Sequence, residues 1–241
     1  MTFDLFFVLG ALVLAYVLYV SITISYRARI ALRLIAESTP FSRAQGSRSI
    51  LDLGDSTAAS VGCASEFSVP GRFADLIDAS VDNVAKSGAK TIDLAGQLSS
   101  APKEKYDLVL VQIGVNDVIY MHSLSKAQKN LESVIESLRR RSNRILVLTA
   151  GHIEDAPIFP WPLNTILYRR TINLRQRFIA STASRGAIYV DIYPHPNSFH
   201  AEPAKYFAAD GFHLTAEGYG FWFGIVKTYV EKNWPELIKN Q

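Results

Sequence analysis

The 241-residue sequence has little cysteine, little net charge and no internal repeat. Cys63 is the only cysteine, so no disulfide can form within the chain, and the compartment is not revealed by it. The formal net charge of +3 is too small to indicate binding to nucleic acid. Because 49% of the residues are hydrophobic and only 20% are charged, the composition excludes wholesale disorder and predicts a domain with a sizeable core.

The histidines lack the spacing of a metal site. Four of the five show no overall pattern that suggests a metal site: His122, His152, His195 and His200. No metal site is therefore predicted. His152 follows a predicted strand and is a candidate for lining a cleft.

Charge is missing altogether from Leu5 to Ile24. An α-helix of about 20 apolar residues crosses the hydrocarbon core of a bilayer. A cleavable signal peptide is the alternative, but it has a basic start, and no Lys or Arg precedes Arg27. The sequence therefore predicts one uncleaved transmembrane helix, an anchor over residues 1–26.

A basic stretch follows the anchor, beginning with Arg27, Arg29 and Arg33. The positive-inside rule then favours a single-pass protein with its domain in the cytoplasm. We predict a basic juxtamembrane linker over residues 27–47, whose first part either lies along anionic headgroups or continues the helix. The periplasmic side stays open as the alternative, because large domains can be translocated regardless of local charge.

Residues 48–241 are predicted to form one α/β domain. Apolar runs alternate with amphipathic segments of about a dozen residues, which is typical of βαβ units with a parallel sheet covered on both faces. The first predicted strand runs into Gly54, and the others are 81–85, 106–113, 144–149 and 188–192. The predicted helices are 68–79, 91–99, 125–141, 165–183 and 215–230.

A serine stands where the first strand ends, in the run Gly54-Asp55-Ser56-Thr57. Ligands bind in open α/β sheets at the carboxyl ends of the strands. Gly54 lets the backbone turn sharply, and Asp55 can brace the turn by a local hydrogen bond. The motif alone is short, so an ordinary loop is the alternative interpretation.

Asp210 and His213 precede the last predicted helix, three residues apart. A carboxylate at that spacing can fix the tautomer of the imidazole, which can then take a proton from a serine hydroxyl. Attack on an ester creates an oxyanion that needs donors. The backbone N–H groups of Ser56 and Gly88 and the side-chain amide of Asn116 would supply up to three.

Four blocks of this sequence resemble the SGNH hydrolases, also called the GDSL-like esterase/lipase family, in the family's order and over residues 49–231. The blocks are Gly54–Thr57, Asn83–Gly88, Gly114–Asp117 and Asp210–His213. The resemblance implies a flavodoxin-like three-layer α/β/α fold with a parallel sheet in strand order 2-1-3-4-5. It also implies a triad of Ser56, His213 and Asp210, an oxyanion hole from Ser56, Gly88 and Asn116, and no metal or organic cofactor.

The sequence departs from the family pattern at two positions and has one unusual residue. Thr57 stands where many members have leucine, and Ser60 stands where a glycine is common, which leaves the shape of the first loop open. Asp52 lies inside the first predicted strand, where a buried carboxylate requires a hydrogen-bond partner.

The sequence as a whole predicts a membrane-anchored serine hydrolase that cleaves carboxylic esters or thioesters through an acyl-enzyme on Ser56. The expected partners are a small-molecule, glycan or lipid ester and the membrane, with a monomeric chain and no nucleic acid. An O-acyltransferase on the same fold and a non-catalytic glycan- or lipid-binding module are the alternatives. The apolar loop Ile153–Leu163 is predicted either to tuck against the domain or to form a lip for an acyl chain.

Overall fold

The computed structural model describes residues 2–149, 151–195 and 198–238, so the predicted ends of the chain's domains at residues 1 and 241 lie outside the described residues. The strands are β1 (Arg48–Gly54), β2 (Ala79–Asn83), β3 (Leu108–Gln112), β4 (Ile145–Leu148) and β5 (Ile188–Val190). The helices are α1 (Thr2–Glu37), α2 (Val69–Ile77), α3 (Leu94–Ser99), α4 (Val115–Ile119), α5 (Leu124–Leu138), α6 (Leu163–Arg185), α7 (Ser198–Ala201), α8 (Pro203–Tyr206) and α9 (Ala216–Asn233). Short 3-10 turns lie at Ser65–Phe67, Thr91–Asp93, Ile153–Asp155 and Pro235–Leu237.

The five strands form one parallel sheet in the order β2-β1-β3-β4-β5. Successive side chains of each strand point to opposite faces, and apolar residues occupy both. On one face, Ile50 and Leu108 pack with residues of α2 and α9. On the other, Leu51 and Val109 pack with residues of α5 and α6. The predicted fold, with helices on both sides of the sheet and strand order 2-1-3-4-5, is confirmed.

Local hydrogen bonding and backbone conformation explain why β2 and α2 end earlier than predicted. β2 ends at Asn83, two residues before the predicted end, because the Asn83 side chain accepts the N–H of Ala85 at 3.0 Å and turns the chain out of the sheet. α2 ends at Ile77 because Asp78 adopts a left-handed conformation, with φ 51°. The predicted helix 91–99 divides into a 3-10 turn followed by α3.

α1 is a single helix from Thr2 to Glu37 and is long and apolar enough from Phe6 onwards to cross a membrane. Its length and composition also fit a signal sequence. The helix continues past residue 26, so the first part of the basic segment is helical. Near its end, Leu34 and Ile35 pack against a small apolar cluster that includes Ala58 and Val61, on the loop that follows β1.

Candidate active site

The end of β1 lies unusually close to β3, and glycine makes this possible. A Cβ on Gly54 would come within 2.0 Å of the Gln112 carbonyl oxygen, and Gly54 has φ 150°. The Asp55 N–H then donates to the same oxygen of Gln112 at 3.0 Å. Close approach of the two strand ends is therefore what turns the chain towards Ser56.

The side-chain amide of Gln97, in α3, binds both backbone polar groups of Gly54. The Gly54 N–H donates to Gln97 Oε1 at 2.8 Å, and Gln97 Nε2 donates to the Gly54 carbonyl at 2.8 Å. Gln97 is buried, so both bonds are shielded from water. The sequence does not indicate this role of Gln97, because a glutamine within a short helix belongs to no recognisable motif.

The loop after Ser56 has the shape that a glycine would give it. Ser60 adopts a left-handed conformation with φ 64°, at the position where the family commonly has glycine. The Val61 N–H donates to the Ser56 carbonyl at 3.0 Å, and the Thr57 N–H donates to Asp55 Oδ1 at 3.0 Å. Through its hydrogen bond with the Thr57 N–H, Asp55 braces the turn, as the sequence predicts. Burial raises the pKa of Asp55 to about 7.

Asp210 and His213 form a buried pair. His213 Nδ1 lies 2.5 Å from Asp210 Oδ2, and Asp210 Oδ1 accepts the N–H groups of Phe212 at 2.9 Å and of His213 at 3.0 Å. Burial alone would raise the pKa of Asp210. The hydrogen bond from His213, the attraction to that ring and the two backbone N–H groups outweigh it and hold the pKa below its ordinary value.

Ser56 and His213 line the same cleft. The two segments that carry them meet at Gly62, where a Cβ would come within 2.4 Å of the Leu214 carbonyl oxygen and 3.1 Å of His213 Cβ. The buried Tyr219 hydroxyl donates to the Val61 carbonyl at 2.9 Å and fixes the loop to α9. Between the described side chains of Ser56 and His213 themselves there is no hydrogen bond in this structure.

The three predicted oxyanion donors differ in their hydrogen-bond partners and in their position relative to the cleft. Among the described residues, the backbone N–H groups of Ser56 and Gly88 have no hydrogen-bond acceptor. Asn116 is buried at the start of α4 and donates one N–H of its amide to the Ala89 carbonyl at 2.9 Å, which ties the Gly88 segment to α4. Ser56 lines the cleft together with Val115, the neighbour of Asn116, whereas Gly88 is exposed and neither Gly88 nor Asn116 borders the cleft.

Asp52 has the hydrogen-bond partners that its burial requires. Gln112 Nε2 donates to Asp52 Oδ1 at 3.0 Å, and Asn83 Nδ2 donates to Asp52 Oδ2 at 3.1 Å. The same Asn83 amide donates to the Ala58 carbonyl at 2.9 Å, in the loop after Ser56. Burial raises the pKa of Asp52 well above its ordinary value. The carboxyl is thus part of a buried polar network that supports the Ser56 loop from below.

The cleft is mainly apolar, with His152 and His195 in its lining besides Ser56, Thr57 and His213, and its space of about 700 Å³ is partly open to solvent. Aromatic and aliphatic side chains dominate its lining: Ile153, Ile192, Phe199, Phe207, Leu214 and Trp222. Such a lining suits an acyl chain or another apolar group. The loop Ile153–Leu163 is buried at its start, where Ile153 and Ala156 line the cleft, whereas Trp161 near its end is 67% exposed and lies outside the lining.

His152 also lines the cleft, which the sequence left as a candidate role. Its Nδ1 lies 3.1 Å from Glu154 Oε1, and its Nε2 lies 2.9 Å from the Tyr193 carbonyl oxygen. The hydrogen bond with Glu154 raises the pKa of His152, against the effect of burial. His152, Glu154 and Asp155 are close enough to hold a metal ion by type and distance, although both ring nitrogens of His152 are already engaged.

Comparison with known proteins agrees with this geometry. The model of the GDSL-like Lipase/Acylhydrolase family matches residues 53–221. The chain belongs to this family. The resemblance carried by the four sequence blocks is confirmed, and the matched range includes every candidate site residue from Ser56 to His213. Members of the family are ester-hydrolysing enzymes, and the GDSL-like domain is what places this chain among them.

One curated relative and two solved structures are similar to this GDSL-like protein. The chain is 26% identical over 180 residues to a GDSL-like esterase of Mycobacterium tuberculosis, covering 70% of this chain and 57% of that relative. A lipase from a goat rumen metagenome has a TM-score of 0.61 at 18% identity, over 76% of this chain and 97% of its own. An acetyl-xylooligosaccharide esterase from Geobacillus has a TM-score of 0.58 at 17% identity, over 83% and 100%. These two structures share the fold, and they leave the acyl group and the alcohol of this GDSL-like protein undetermined.

Proposed function

We propose that this protein is a membrane-anchored serine hydrolase that cleaves carboxylic esters or thioesters through an acyl-enzyme on Ser56. His213 takes the proton from the Ser56 hydroxyl as its oxygen attacks the carbonyl carbon, and a tetrahedral oxyanion forms. His213 then gives the proton to the leaving alcohol or thiol. A water molecule, deprotonated by His213, attacks the acyl-enzyme, releases the carboxylic acid and restores Ser56.

The buried Asp210–His213 pair is the single observation that carries this proposal. An ionised Asp210 accepts a hydrogen bond from the Nδ1–H group of His213. The proton of the neutral ring therefore stays on Nδ1, and the lone pair stays on Nε2. The low pKa of Asp210 keeps its charge near neutral pH, where it stabilises the imidazolium that forms during the reaction. Ser56 lines the same cleft and so is the hydroxyl that this base would serve.

The unpaired donors near Ser56 support an oxyanion hole. The backbone N–H groups of Ser56 and Gly88 lack acceptors among the described residues, so they are available to an oxyanion without breaking a bond. Asn116 uses one N–H to hold the Ala89 carbonyl and retains a second. Its amide is neutral, so it does not compete with Asp210 for the proton of His213.

The membrane anchor of the proposal is α1. A signal peptide is removed at a cleavage site, whereas α1 continues as helix to Glu37 and packs on the domain through Leu34 and Ile35. The arginines that follow the apolar stretch favour a cytoplasmic domain. Retention of the protein in membranes after an alkaline carbonate wash tests the anchor, and fluorescence of a reporter fused after Gln241 that is bright only in the cytoplasm tests the side.

Hydrolysis of p-nitrophenyl esters of increasing acyl length tests the proposed activity. The apolar cleft predicts that kcat/KM rises from acetate towards medium chains before the cleft is filled. Ser56→Ala is the matched control, because it removes one oxygen from a buried loop and keeps the fold. Hydrolysis of any of these esters at the wild-type rate by Ser56→Ala would contradict the proposal.

A further inference from the structure

A second apolar stretch without charge lies beside the cleft. Residues 156–168 contain no charged side chain, and the stretch ends at Arg169, as the apolar stretch of α1 ends at Arg27. Three of its large side chains face solvent in this structure: Trp161 is 67% exposed, Ile166 47% and Tyr168 43%. We call residues 156–168 the apolar segment.

The backbone of the apolar segment is already largely hydrogen-bonded or lacks donors. Pro157, Pro160 and Pro162 have no N–H. The N–H of Ile158 donates to the Gly211 carbonyl at 3.1 Å, and that of Phe159 donates to the Ala156 carbonyl at 3.0 Å. The carbonyls of Pro160 and Pro162 accept N–H groups from the first turn of α6. Such a segment can leave water at little cost, because few polar backbone groups would lose a partner.

α1 lies against this segment. The hydroxyl of Tyr16, inside the charge-free stretch of α1, donates to the Trp161 carbonyl. Further along α1, the Arg27 guanidinium covers Gly211, where a Cβ would overlap Arg27 Nη1 and come within 3.1 Å of Pro157 Cβ. Tyr16 precedes Arg27 by about three helical turns, or about 16 Å along the axis. With Arg27 among the headgroups, Trp161 lies at the level of the acyl chains.

The apolar segment is also connected to the candidate catalytic base. Ala156, its first residue, lines the cleft. The rings of Phe159 and Phe212 meet edge to face with centroids 5.6 Å apart, and Phe212 in turn contacts the His213 ring at 4.9 Å. The wall of the cleft therefore continues directly into the exposed apolar surface.

We infer that the apolar segment docks into the same bilayer that α1 crosses, so that the mouth of the cleft faces the lipid. This inference rests on the proposed anchor and goes beyond it by giving the domain one orientation on the membrane. An amphiphilic ester dissolved in the bilayer then reaches Ser56 without passing through water. The arginines at the ends of the two apolar stretches, Arg27 and Arg169, are placed for lipid phosphates.

Quenching of tryptophan fluorescence by brominated lipids tests the docking directly. The full chain is placed in phosphatidylcholine vesicles with or without bromine on the acyl chains, and the quenched fraction is compared with that of two variants. Trp161→Phe is expected to lose most of the quenching. Trp234→Phe is the control. Trp234 is two residues from Glu236, which binds Arg48 and Arg144 at the amino-terminal ends of β1 and β4, whereas the cleft lies at the carboxyl end of β1. Trp234→Phe is expected to keep the quenching.

Equal quenching of Trp161→Phe and wild type would overturn the docking, and so would an equal loss in Trp234→Phe. Kinetics give a second readout. Trp161→Ser is expected to raise KM about tenfold for a long-chain ester embedded in vesicles, since interfacial binding scales with buried apolar area. It leaves KM for the soluble acetate ester unchanged. An equal KM change for both esters would also overturn the docking. If wild type hydrolyses neither ester, the proposed activity fails, and the quenching still decides the docking.

Discussion

Two carboxylates of this protein are fully buried, yet they are held in opposite states. Asp210 and Asp52 both have 0% exposure. The pKa of Asp210 is held low by the His213 ring and two backbone N–H groups, whereas the pKa of Asp52 is raised by burial and by the nearby Asp55 carboxyl, against the hydrogen bond from Gln112. The partners, and not the degree of burial, therefore decide the direction in which each pKa shifts.

One buried atom beside Asp52 has no partner. Gln112 Nε2 donates to Asp52, whereas Gln112 Oε1 is buried and has no hydrogen-bond partner among the described residues. Asp52 is a structural group that fixes β1, β2 and β3 to one another below Ser56, while Asp210 is the charged group that acts through His213.

The largest expected effect comes from neutralising Asp210. Asp210→Asn keeps the size of the side chain but removes the charge that orients His213, and we expect kcat to fall by about 10³–10⁴-fold. Steady-state hydrolysis of p-nitrophenyl esters measures this. A loss of less than tenfold would place Asp210 outside the catalytic machinery.

A smaller effect on kcat is expected from removing the neutral side-chain amide of Asn116. Asn116→Ala should lower kcat by about 10²–10³-fold with little change in KM, because an oxyanion donor acts only in the transition state. A rise in KM at constant kcat would instead make Asn116 a residue that binds the substrate in its ground state.

The smallest effect on catalysis is expected at Asp52. An asparagine at this position keeps the size of the side chain and an oxygen that can accept from Gln112 or Asn83, so Asp52→Asn should keep kcat and KM close to those of wild type. The same assay measures it. A loss as large as that of Asp210→Asn would show that Asp52 is charged and would remove the contrast between the two carboxylates.

The two carboxylates should also give opposite pH dependences of stability. Because its folded pKa is raised, Asp52 contributes fully below its unfolded pKa of about 3.9 and less as the pH rises. Asp52→Asn should thus gain in thermal midpoint relative to wild type as the pH rises above about 4. The folded pKa of Asp210 is lowered, so its contribution is present at neutral pH and is lost on acidification. The deficit of Asp210→Asn should shrink as the pH falls, and parallel curves for both variants would contradict the assignment.

The parts of this protein that the sequence predicts are those with local signals. Continuous aliphatic residues mark β3, and the spacing of Asp210 and His213 before a helix marks the buried pair. Both signals are short-range, since one depends on strand periodicity and the other on a single turn. The place of Ser56 in the chain is marked by the end of β1 and the Gly54-Asp55 turn that follows it.

What the sequence did not predict depends on contacts between distant residues. The Gln97 clamp on Gly54 joins positions 43 residues apart, and glutamine has no preferred place in a motif. The packing of α1 beside Trp161 joins positions 145 apart. Ser60 adopts a glycine-like backbone because its neighbours on both sides are fixed, Asp55 through Thr57 and Val61 through Tyr219. Such tertiary constraints override local propensity.

The central claim is that Ser56, activated by the Asp210–His213 pair, is the nucleophile. The most direct measurement is the mass and position of the adduct formed with a fluorophosphonate, which reacts with activated serines. The account predicts one adduct per chain on the peptide that contains Ser56, no adduct in Ser56→Ala, and greatly slowed labelling in Asp210→Asn. Undiminished labelling of Ser56→Ala, or an adduct on another residue of wild type, would contradict it.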